Sequence, residues 1–327
     1  MKFTRFEVNG DSQLAVMAKR KWYFLKDIPA LESVNDDLIK LLENWSENKS
    51  KIEDELAKDA IVAVPDVELL NTQLPFQPTS LRDFMLSEKH ALRAARGFVK
   101  HFLPNKLPII KLYEKILNKP FPLVKPKPIW YRQPLFYMSN HLNLASDGDE
   151  ISWPSYSKML DYELELAFVL VKPIRNANKQ QALDAIGGFQ ILNDFSARDV
   201  QLEEMQSGFG PQKSKSFVNA LSATLVSADE ILPDIEHLSA EVRINDELVC
   251  KTNTSDMQHS IADILIHLSM DETLYPGEVF GLGTMPGGCA MENNHWLVAG
   301  DSIELRISKV GTLKNTIGTK RTDKANK

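Results

Sequence analysis

Apolar and polar residues alternate at the start of the chain in the way that is typical of β-strands. Charged and apolar side chains alternate from Arg5 to Val8, and the dipeptide Asn9–Gly10 that follows is a strong signal for a hairpin turn. Residues 1–30 are therefore predicted to form a small β unit. Further along, the apolar spacing becomes that of amphipathic helices, which predicts helices over about 35–58 and 87–103.

Proline and lysine dominate the segment 104–128, which holds six residues of each type. Because proline lacks an N–H and restricts its neighbours, this segment is predicted to resist regular structure and to form a surface excursion, either a flap or a linker. A polar, proline-containing stretch at 71–79 predicts a boundary between a small N-terminal α+β domain, 1–75, and a larger domain, 76–318. The polar residues 319–327 are predicted to form a disordered tail.

Short segments rich in β-branched and aromatic residues dominate the chain after residue 129. One helix interrupts them, for which Ser255 and Gln258 supply a capping-box pattern and Ile261 and Ile264 lie on one face. The predicted strands span residues 134–139, 162–171, 188–193, 221–227, 239–244, 247–252, 278–282 and 302–308. The chain is therefore predicted to have an α+β fold that is mostly β.

The segment DYELELAFVLV, residues 161–171, places two glutamates at the head of an apolar strand. Since side chains two residues apart in a strand point to the same side, Glu163 and Glu165 would share a face with the apolar side chains that follow them. Two carboxylates about 6–7 Å apart repel each other by roughly 2–3 kcal/mol at an effective dielectric constant near 20. Unless this strand is a solvated edge, a positive group is expected beside the pair.

Composition limits the classes of protein to which the chain can belong. It has 327 residues with a formal net charge of −6, which argues against nucleic acid as a partner. No apolar stretch is long enough to span a bilayer and the first residues lack the apolar core of a signal peptide, so we expect no membrane partner and a cytoplasmic location. Cys250 and Cys289 are the only cysteines, which excludes a disulfide framework and a cysteine zinc site. Any metal is therefore held mainly by oxygen atoms or by some of the seven histidines.

Two further carboxylates, Asp83 in LRDFML and Asp194 in LNDFSARD, have structural as well as functional interpretations. Asp83 could complete a capping box with Ser80, and Asp194 could cap a short helix that begins near Ser196. Taken one at a time, these structural roles are favoured over metal binding.

Four stretches stand out in combination: RDFMLSEKHA, LDYELELAFVL, GGFQILNDFSARDVQ, and GLGTMPGGCAMEN with the AGDSIELRI that follows it. In this order they resemble the motifs of the fumarylacetoacetate hydrolase family, over a match that runs from about Asp83 to Gly318. The fold implied by this resemblance is a mixed β-sandwich or roll with a small N-terminal domain. Because family members usually pair through their β-rich core, the resemblance also implies a homodimer.

The resemblance implies a site for one divalent cation. In the family an aspartate, a Glu-x-Glu pair and the first aspartate of the N-D-x-S-A-R-D motif bind the metal. Carried over residue by residue, the implied ligands are Asp83, Glu163, Glu165 and Asp194. A site made of oxygen ligands suits a hard cation such as Mg²⁺, Ca²⁺ or Mn²⁺.

A catalytic pair follows from the same resemblance. His90 matches the family's catalytic histidine, and Glu292 in GGCAMEN matches the glutamate that orients it. Without the resemblance, His90 would be interpreted as a solvent-facing side chain on a charged helix, and Glu292 as an ordinary loop acid. Imidazole is well suited to general-base work near neutral pH, and a carboxylate bonded to it fixes the tautomer.

Further site residues are also implied by the resemblance. Their alternative roles are surface salt bridges for the basic residues and core packing for the tyrosine. The lysine match needs a one-residue insertion, so Lys213 remains an alternative to Lys215. The implied residues are Arg198, Gln201 and Lys215 as catalytic polar groups, and Tyr137 and Thr284 as substrate contacts.

The implied reaction is hydrolytic cleavage of a carbon–carbon bond in a diketo acid such as fumarylacetoacetate or an acylpyruvate, as in the catabolism of aromatic amino acids. Two departures leave the substrate open. Met85 and Val99 stand where the eukaryotic fumarylacetoacetate hydrolase has a tyrosine and an arginine that contact substrate, although Arg93 and Arg96 lie nearby. The alternatives are a decarboxylase or isomerase of a 2-keto acid, and, in another class, a non-catalytic binding protein stabilised by a metal.

Overall fold

A large mixed sheet forms the centre of the computed structural model, which describes residues 1–34 and 36–320. The strands are β1 Lys2–Val8, β2 Asp11–Ala18, β3 Lys21–Phe24, β4 Thr72–Gln73, β5 Ser80–Phe84, β6 Phe136–Ser139, β7 Leu144–Ala145, β8 Glu150–Trp153, β9 Leu160–Asp161, β10 Leu164–Leu170, β11 Ile186–Asn193, β12 Ser196–Ala197, β13 Asn219–Leu221, β14 Leu225–Ser227, β15 Ser239–Ile244, β16 Glu247–Asn253, β17 Glu278–Gly281, β18 Ser302–Ile307 and β19 Gly311–Lys320. The α-helices are α1 Leu38–Glu43, α2 Trp45–Ala57, α3 Glu88–Phe102, α4 Leu107–Leu117, α5 Pro128–Arg132, α6 Lys179–Asp184, α7 Arg198–Gln206, α8 Ala228–Ile231, α9 Ile261–Ser269 and α10 Ala290–Asn293.

The strands divide into two principal sheets. The larger has the order β3-β2-β1-β14-β11-β10-β17-β5-β6, with β4, β7 and β13 attached beside this path. The smaller has the order β16-β15-β18-β19-β8, and β9 pairs with β12 in a two-stranded ladder. The predicted α+β class with a predominance of sheet is confirmed, and β19 is the longest strand that the sequence patterns did not predict.

Strand β10 lies near the middle of the large sheet, and all seven of its residues are buried. Its side chains alternate between two apolar clusters, since Leu166 and Phe168 belong to one cluster and Ala167 and Val169 to the other. A strand that is covered on both faces reads as a continuous apolar run. Glu165 therefore enters a covered part of the sheet and does not lie on a solvated edge.

The N-terminal strands extend the large sheet. Residues Lys2 and Phe3 of β1 pair antiparallel with β14, and Phe3 belongs to the same apolar cluster as Val169 of β10. The domain division after residue 75 stays a prediction. The last strand includes residues 319 and 320, and the remainder of the predicted tail, 321–327, lies outside the described residues.

The expectation that residues 104–128 lack regular structure is wrong. Helix α4 occupies the middle of this segment, and Pro108 lies in its first turn. Proline is tolerated there because the first N–H groups of a helix have no intrahelical acceptor. No helix in the described ranges combines the length and hydropathy that a membrane span requires.

The predicted capping box at Ser255 and Gln258 is also wrong. Helix α9 begins at Ile261, and its capping box consists of Ser260 and Asp263, whose side chains bond each other's backbone N–H groups. An Asp at the third helical position has replaced the Glu or Gln of the usual pattern. The helix therefore starts five residues later than its sequence pattern indicates.

Helices α3 and α10 make an unusually close contact at Gly97. A Cβ atom built on this residue would lie 2.0 Å from the carbonyl oxygen of Met291 in α10. Helix α3 carries His90 and α10 carries Glu292. The lack of a side chain at Gly97 therefore allows the close separation of the two helices that bring these residues together.

We predict that Gly97→Ala destabilises the protein by roughly 1–3 kcal/mol, because the new methyl group forces the backbone of α10 away from α3. Urea unfolding followed by circular dichroism measures this. An unchanged midpoint would show that the close contact does not constrain the two helices. Ala94→Gly, on the same helix, is the control for helix propensity, and we expect it to cost no more than about 1 kcal/mol plus the loss of one methyl contact.

Candidate active site

Three carboxylates meet at the centre of the large sheet. Asp83 lies in β5, Glu165 lies in β10, and Asp194 directly follows β11. Each is buried, and one carboxylate oxygen from each lies within 4.8 Å of the others. The structural role considered for Asp83 is absent, since this residue lies within a strand and not in a helix cap.

The cluster has the features of a cation site. Strand β17 separates β10 from β5, and a Cβ on its Gly281 would lie 2.5 Å from Oδ1 of Asp83 and 3.0 Å from Oε2 of Glu165. Glycine at this position thus leaves the space between the carboxylates open. Oδ1 of Asp83 and Oδ1 of Asp194 are buried and have no hydrogen-bond partner in the described part of the chain. Buried oxygens of this kind need a partner, and a hard divalent cation is the ligand that an all-carboxylate set prefers.

The protonation of these groups reflects their mutual repulsion. Burial raises the pKa of Glu165 and of Asp194 well above the usual range of a carboxyl group, and the charge of Asp83 adds to this effect at both. Burial also raises the pKa of Asp83. Without a cation the cluster therefore holds protons, and a bound cation would replace them.

Glu163 has a different environment from Glu165. Its Oε1 accepts a hydrogen bond from Nη2 of Arg198 at 2.6 Å, and its Oε2 accepts one from Nζ of Lys215 at 2.5 Å. Burial alone would raise the pKa of Glu163, but Arg198 and then Lys215 outweigh burial and hold it well below the usual range. The structure therefore brings three of the four implied ligands into one cluster and places Glu163 beside it, between two cations.

Of the two candidate lysines, Lys215 is the one that lies among the carboxylates. It is buried and also donates a hydrogen bond to Asp194, so it links Glu163 to the carboxylate cluster. Lys213 is exposed, and its ammonium group lies over the ring of Tyr156. Burial and hydrogen bonding therefore favour Lys215 over Lys213 as the candidate lysine.

Asp161 is a site residue that the sequence interpretation did not identify. It is completely buried, and it accepts hydrogen bonds from Nε of Arg198 at 2.8 Å and from the backbone N–H groups of Ala290 at 2.7 Å and Met291 at 3.1 Å. The carboxylate of Asp161 thus links Arg198, which bonds Glu163, to the start of α10. That helix carries Glu292. The signal was present in DYELEL, where a third acid precedes the Glu pair at the same spacing of two.

His90 and Glu292 form a buried dyad. Nδ1 of His90 lies 2.7 Å from Oε1 of Glu292, and Oε2 of Glu292 accepts the backbone N–H of Gly287 at 2.8 Å. Because a carboxylate only accepts, Nδ1 carries the proton and Nε2 is free to act as a base. The thiol of Cys289 also contacts Oε1 of Glu292, at 3.6 Å, and burial raises its pKa well above the usual range, so it remains a neutral thiol.

The other predicted site residues all bond to members of this region. Tyr137 donates its hydroxyl proton to Oδ2 of Asp194 at 2.6 Å, and burial followed by the charge of Asp194 raises its pKa. Thr284 donates to Oε1 of Glu165 at 3.3 Å. Gln201 accepts from Nη1 of Arg198 at 2.9 Å. Thr284 therefore lies against a predicted metal ligand, and Gln201 fixes a basic side chain.

Together these groups can perform acid–base chemistry next to a bound cation. The carboxylates supply the oxygen ligands, the dyad supplies a base, and Arg198 and Lys215 supply fixed positive charge. An arrangement of this kind favours reactions in which negative charge develops on an oxygen of the substrate.

Comparison with known proteins identifies relatives of the chain. Residues 118–318 match the family model described as fumarylacetoacetate (FAA) hydrolase, C-terminal. An uncharacterised protein of Methanocaldococcus jannaschii is 31% identical over 225 residues, which is 67% of this chain and 85% of that protein. The mitochondrial oxaloacetate tautomerase of Xenopus laevis is 28% identical over 269 residues, or 76% of this chain and 81% of that enzyme.

Solved structures share the fold. A fumarylacetoacetate hydrolase from Exiguobacterium antarcticum superposes with a TM-score of 0.69 at 22% identity, covering 98% of this chain and 100% of that one. A maleylpyruvate hydrolase from a Sphingobium species, in complex with manganese(II) ion and pyruvate, gives a TM-score of 0.69 at 18% identity with the same coverage. At these identities the likeness establishes the fold.

Neutral substitutions of Glu163 and of Glu165 should have opposite effects on the stability of the folded protein. We predict that Glu165→Gln stabilises the metal-free protein by at least about 1 kcal/mol at pH 7, because it removes a carboxyl group with a raised pKa from a crowd of like charges. The folded protein keeps a proton on Glu165 that the unfolded chain releases above the ordinary value of 4.5, so stability falls as the pH rises above that value. The gain from Glu165→Gln should therefore be larger at pH 7 than at pH 5.

Glu163→Gln is the matched control. It should destabilise the protein by roughly 3 kcal/mol, because it leaves Arg198 and Lys215 buried without one of their partners. Urea unfolding measures both effects, and calorimetry with Mn²⁺ should show weaker binding by Glu165→Gln. Unchanged Mn²⁺ affinity in that variant would contradict the proposed ligand, and a stabilised Glu163→Gln would contradict the two ion pairs.

Proposed function

Because the chain belongs to the fumarylacetoacetate hydrolase family, we propose that it is a divalent-cation-dependent enzyme that moves a proton on a 2-keto or diketo acid. The observation that carries this proposal is the buried His90–Glu292 dyad near a carboxylate cluster with two unsatisfied oxygens. A structural metal alone would not require a base that is oriented by a second carboxylate.

In this proposal Asp83, Glu165 and Asp194 hold the cation, and Glu163 supports them through Lys215, which it shares with Asp194. The cation supplies Lewis acidity that polarises the keto group of the substrate. Mg²⁺, Ca²⁺ and Mn²⁺ all suit oxygen ligands, and the manganese(II) complex of the Sphingobium enzyme makes Mn²⁺ the first ion to test.

The chain's own residues divide the remaining work. Glu292 keeps the proton on Nδ1 of His90, so Nε2 takes a proton from the substrate or from water and later returns it. Lys215 and Arg198 stay charged among their carboxylate partners and offset the charge of the bound acid. The dyad lies on α3 and α10, which contact each other, so His90 has a fixed position relative to Glu292.

The named sequence relatives favour keto–enol tautomerisation of a 2-keto dicarboxylic acid. The relatives from Xenopus laevis and Bacillus subtilis are named oxaloacetate tautomerases, the second at 34% identity over 187 residues, which is 57% of this chain and 61% of that enzyme. In this reaction Nε2 of His90 accepts a proton from the carbon next to the keto group, and a proton is placed on the oxygen of the resulting enolate to give the enol. The conversion of enol to keto form runs through the same steps in reverse. We propose this as the leading activity.

Hydrolytic cleavage of a carbon–carbon bond in an acylpyruvate or fumarylacetoacetate is the second candidate. The oriented imidazole favours it, since Glu292 can stabilise the imidazolium that forms when His90 takes a proton from water. Hydroxide then adds to a carbonyl carbon, and the bond between that carbon and its neighbour breaks with its electron pair leaving on the neighbour as an enolate. The proton that His90 took from water then passes to this enolate carbon, which regenerates the neutral imidazole. Decarboxylation of a 2-keto acid is the remaining alternative within the family.

We predict that His90→Ala lowers kcat on the true substrate by roughly 10²–10⁴-fold, as expected for loss of a positioned base. Because His90 and Glu292 act as a unit, adding Glu292→Gln should cost little more. The assay follows enol decay of oxaloacetate and product release from an acylpyruvate and from fumarylacetoacetate, each with Mn²⁺ and with Mg²⁺. Mn²⁺ affinity should stay the same in both variants.

His237→Ala, on an exposed turn, is the control and should keep parental activity. Parental activity in His90→Ala would place the base elsewhere, and losses that simply multiply would separate Glu292 from His90. Mn²⁺ binding without turnover of any of the three compounds would favour the non-catalytic binding protein.

We further propose that the protein is a homodimer. Strand β6 is an edge of the large sheet in the described ranges, and its Phe136 and Met138 expose 40% and 56% of their surface. Exposed apolar side chains on a sheet edge favour association. Light scattering should give twice the chain mass of 37.0 kDa, and Met138→Lys should shift the mass towards the monomer, whereas Met270→Lys, at a comparably exposed site, should not. The monomer mass at every concentration would contradict the proposal.

A further inference from the structure

Helix α4 presents an apolar stripe to solvent. Ile109, Leu112 and Ile116 lie three and four residues apart, so they occupy one face of the helix. Their exposed fractions are 63%, 59% and 69%. Isolated exposed apolar residues are normal on protein surfaces, but three in a row on one helix face form a patch.

The opposite face of α4 is firmly attached to α3. Ile110 is buried in a small cluster with Val99 of α3. Glu114 accepts hydrogen bonds from Nε and Nη2 of Arg96, at 3.2 and 2.9 Å, and from the backbone N–H of Phe121 at 3.1 Å. The rotation of the helix about its axis is therefore fixed, and the stripe faces outward as a consequence of the packing.

Positive charge surrounds the stripe. Residues 104–128 contain six lysines and a single acidic residue, Glu114, in a chain whose net charge is −6. All six lysines are exposed, and in the described part of the chain none of them forms an ion pair with a carboxylate. Glu114 is already paired with Arg96. The segment therefore offers unneutralised ammonium groups beside an apolar surface.

We propose that α4 docks the protein onto a bilayer surface that carries anionic lipid headgroups. The stripe enters the boundary between headgroups and acyl chains, and Lys111 and Lys115, on the adjoining side of the helix, meet the lipid phosphates. A second copy of the chain fits this face less well, because a two-fold axis through the stripe would bring the lysines of both copies together.

This inference does not rest on the proposed enzymatic function. The lack of a long apolar segment led us to expect no membrane partner, but a helix that lies on a bilayer needs no such segment. Eleven residues of α-helix measure about 16 Å, which is too short to cross the apolar core and long enough to lie on its surface.

Flotation with vesicles tests the proposal. The full chain should float with vesicles made of phosphatidylcholine and phosphatidylserine, and much less with vesicles of phosphatidylcholine alone. Ile109→Ser/Leu112→Ser/Ile116→Ser should abolish flotation. Lys111→Glu/Lys115→Glu should lower it at least about tenfold, because each lysine near an anionic surface changes binding about fivefold. Thermal unfolding checks that both variants fold.

The controls are changes of the same kind elsewhere on the surface. Leu142→Ser removes an apolar side chain that is 73% exposed, and Lys21→Glu/Lys26→Glu reverses two exposed charges, so both should float like the parent. Absence of parental flotation, or equal loss in the controls, would overturn the proposal. A triple serine variant that still floats would also overturn the proposal. If the only change in that variant were a lower mass by light scattering, the stripe would be an interface between copies of the chain, and the proposal would be wrong.

Discussion

At the candidate site the protein buries more carboxylates than it buries cations to pair with them. Five acidic side chains lie in or beside the carboxylate cluster, and all of them are buried: Asp83, Asp161, Glu163, Glu165 and Asp194. In the described ranges Arg198 and Lys215 are the buried cations that contact this group. This excess of negative charge in a region of low dielectric constant raises the free energy of the folded protein unless a further cation or several protons neutralise it. Burial and the neighbouring carboxylates raise the pKa of Glu165 and of Asp194, which is the direction expected when such a need is met by protons.

The same electrostatic constraint explains how the two halves of the site are joined. Arg198 bonds Glu163 on one side and Asp161 on the other, and Asp161 holds the first two N–H groups of α10. That helix carries Glu292, whose bond to His90 orients the base. The dyad is thus connected to the carboxylate cluster through a chain of hydrogen bonds that includes Lys215, Glu163 and Arg198. The close approach at Gly97 sets the distance between the helices that carry the dyad. Each part of the site depends on an ion pair or hydrogen bond made by another part.

Local periodicity predicted those features of the site that depend on a single strand. The spacing of two placed Glu165 on the face of Ala167, and the structure confirms that this face is covered. Spacing could not show that Glu163 pairs with Lys215, because the lysine lies 52 residues away and reaches the site only through the tertiary fold. Spacing could not predict the role of Asp161 for the same reason, since the N–H groups that donate hydrogen bonds to it lie about 130 residues further along the chain. The helix within 104–128 was missed because the proline count outweighed the position of Pro108 in a first turn.

The dyad also explains why one constellation fits more than one reaction. In the proposed mechanism Nε2 of His90 is the base, and it takes whichever proton the bound substrate presents, from a carbon next to a keto group or from a water molecule. In that mechanism the difference between tautomerisation and bond cleavage lies in where the substrate and a water molecule are held, and the acid–base pair alone does not determine their positions. On the proposed function, specificity would therefore be set by the residues that contact the substrate, while the carboxylates and the dyad would determine the class of chemistry.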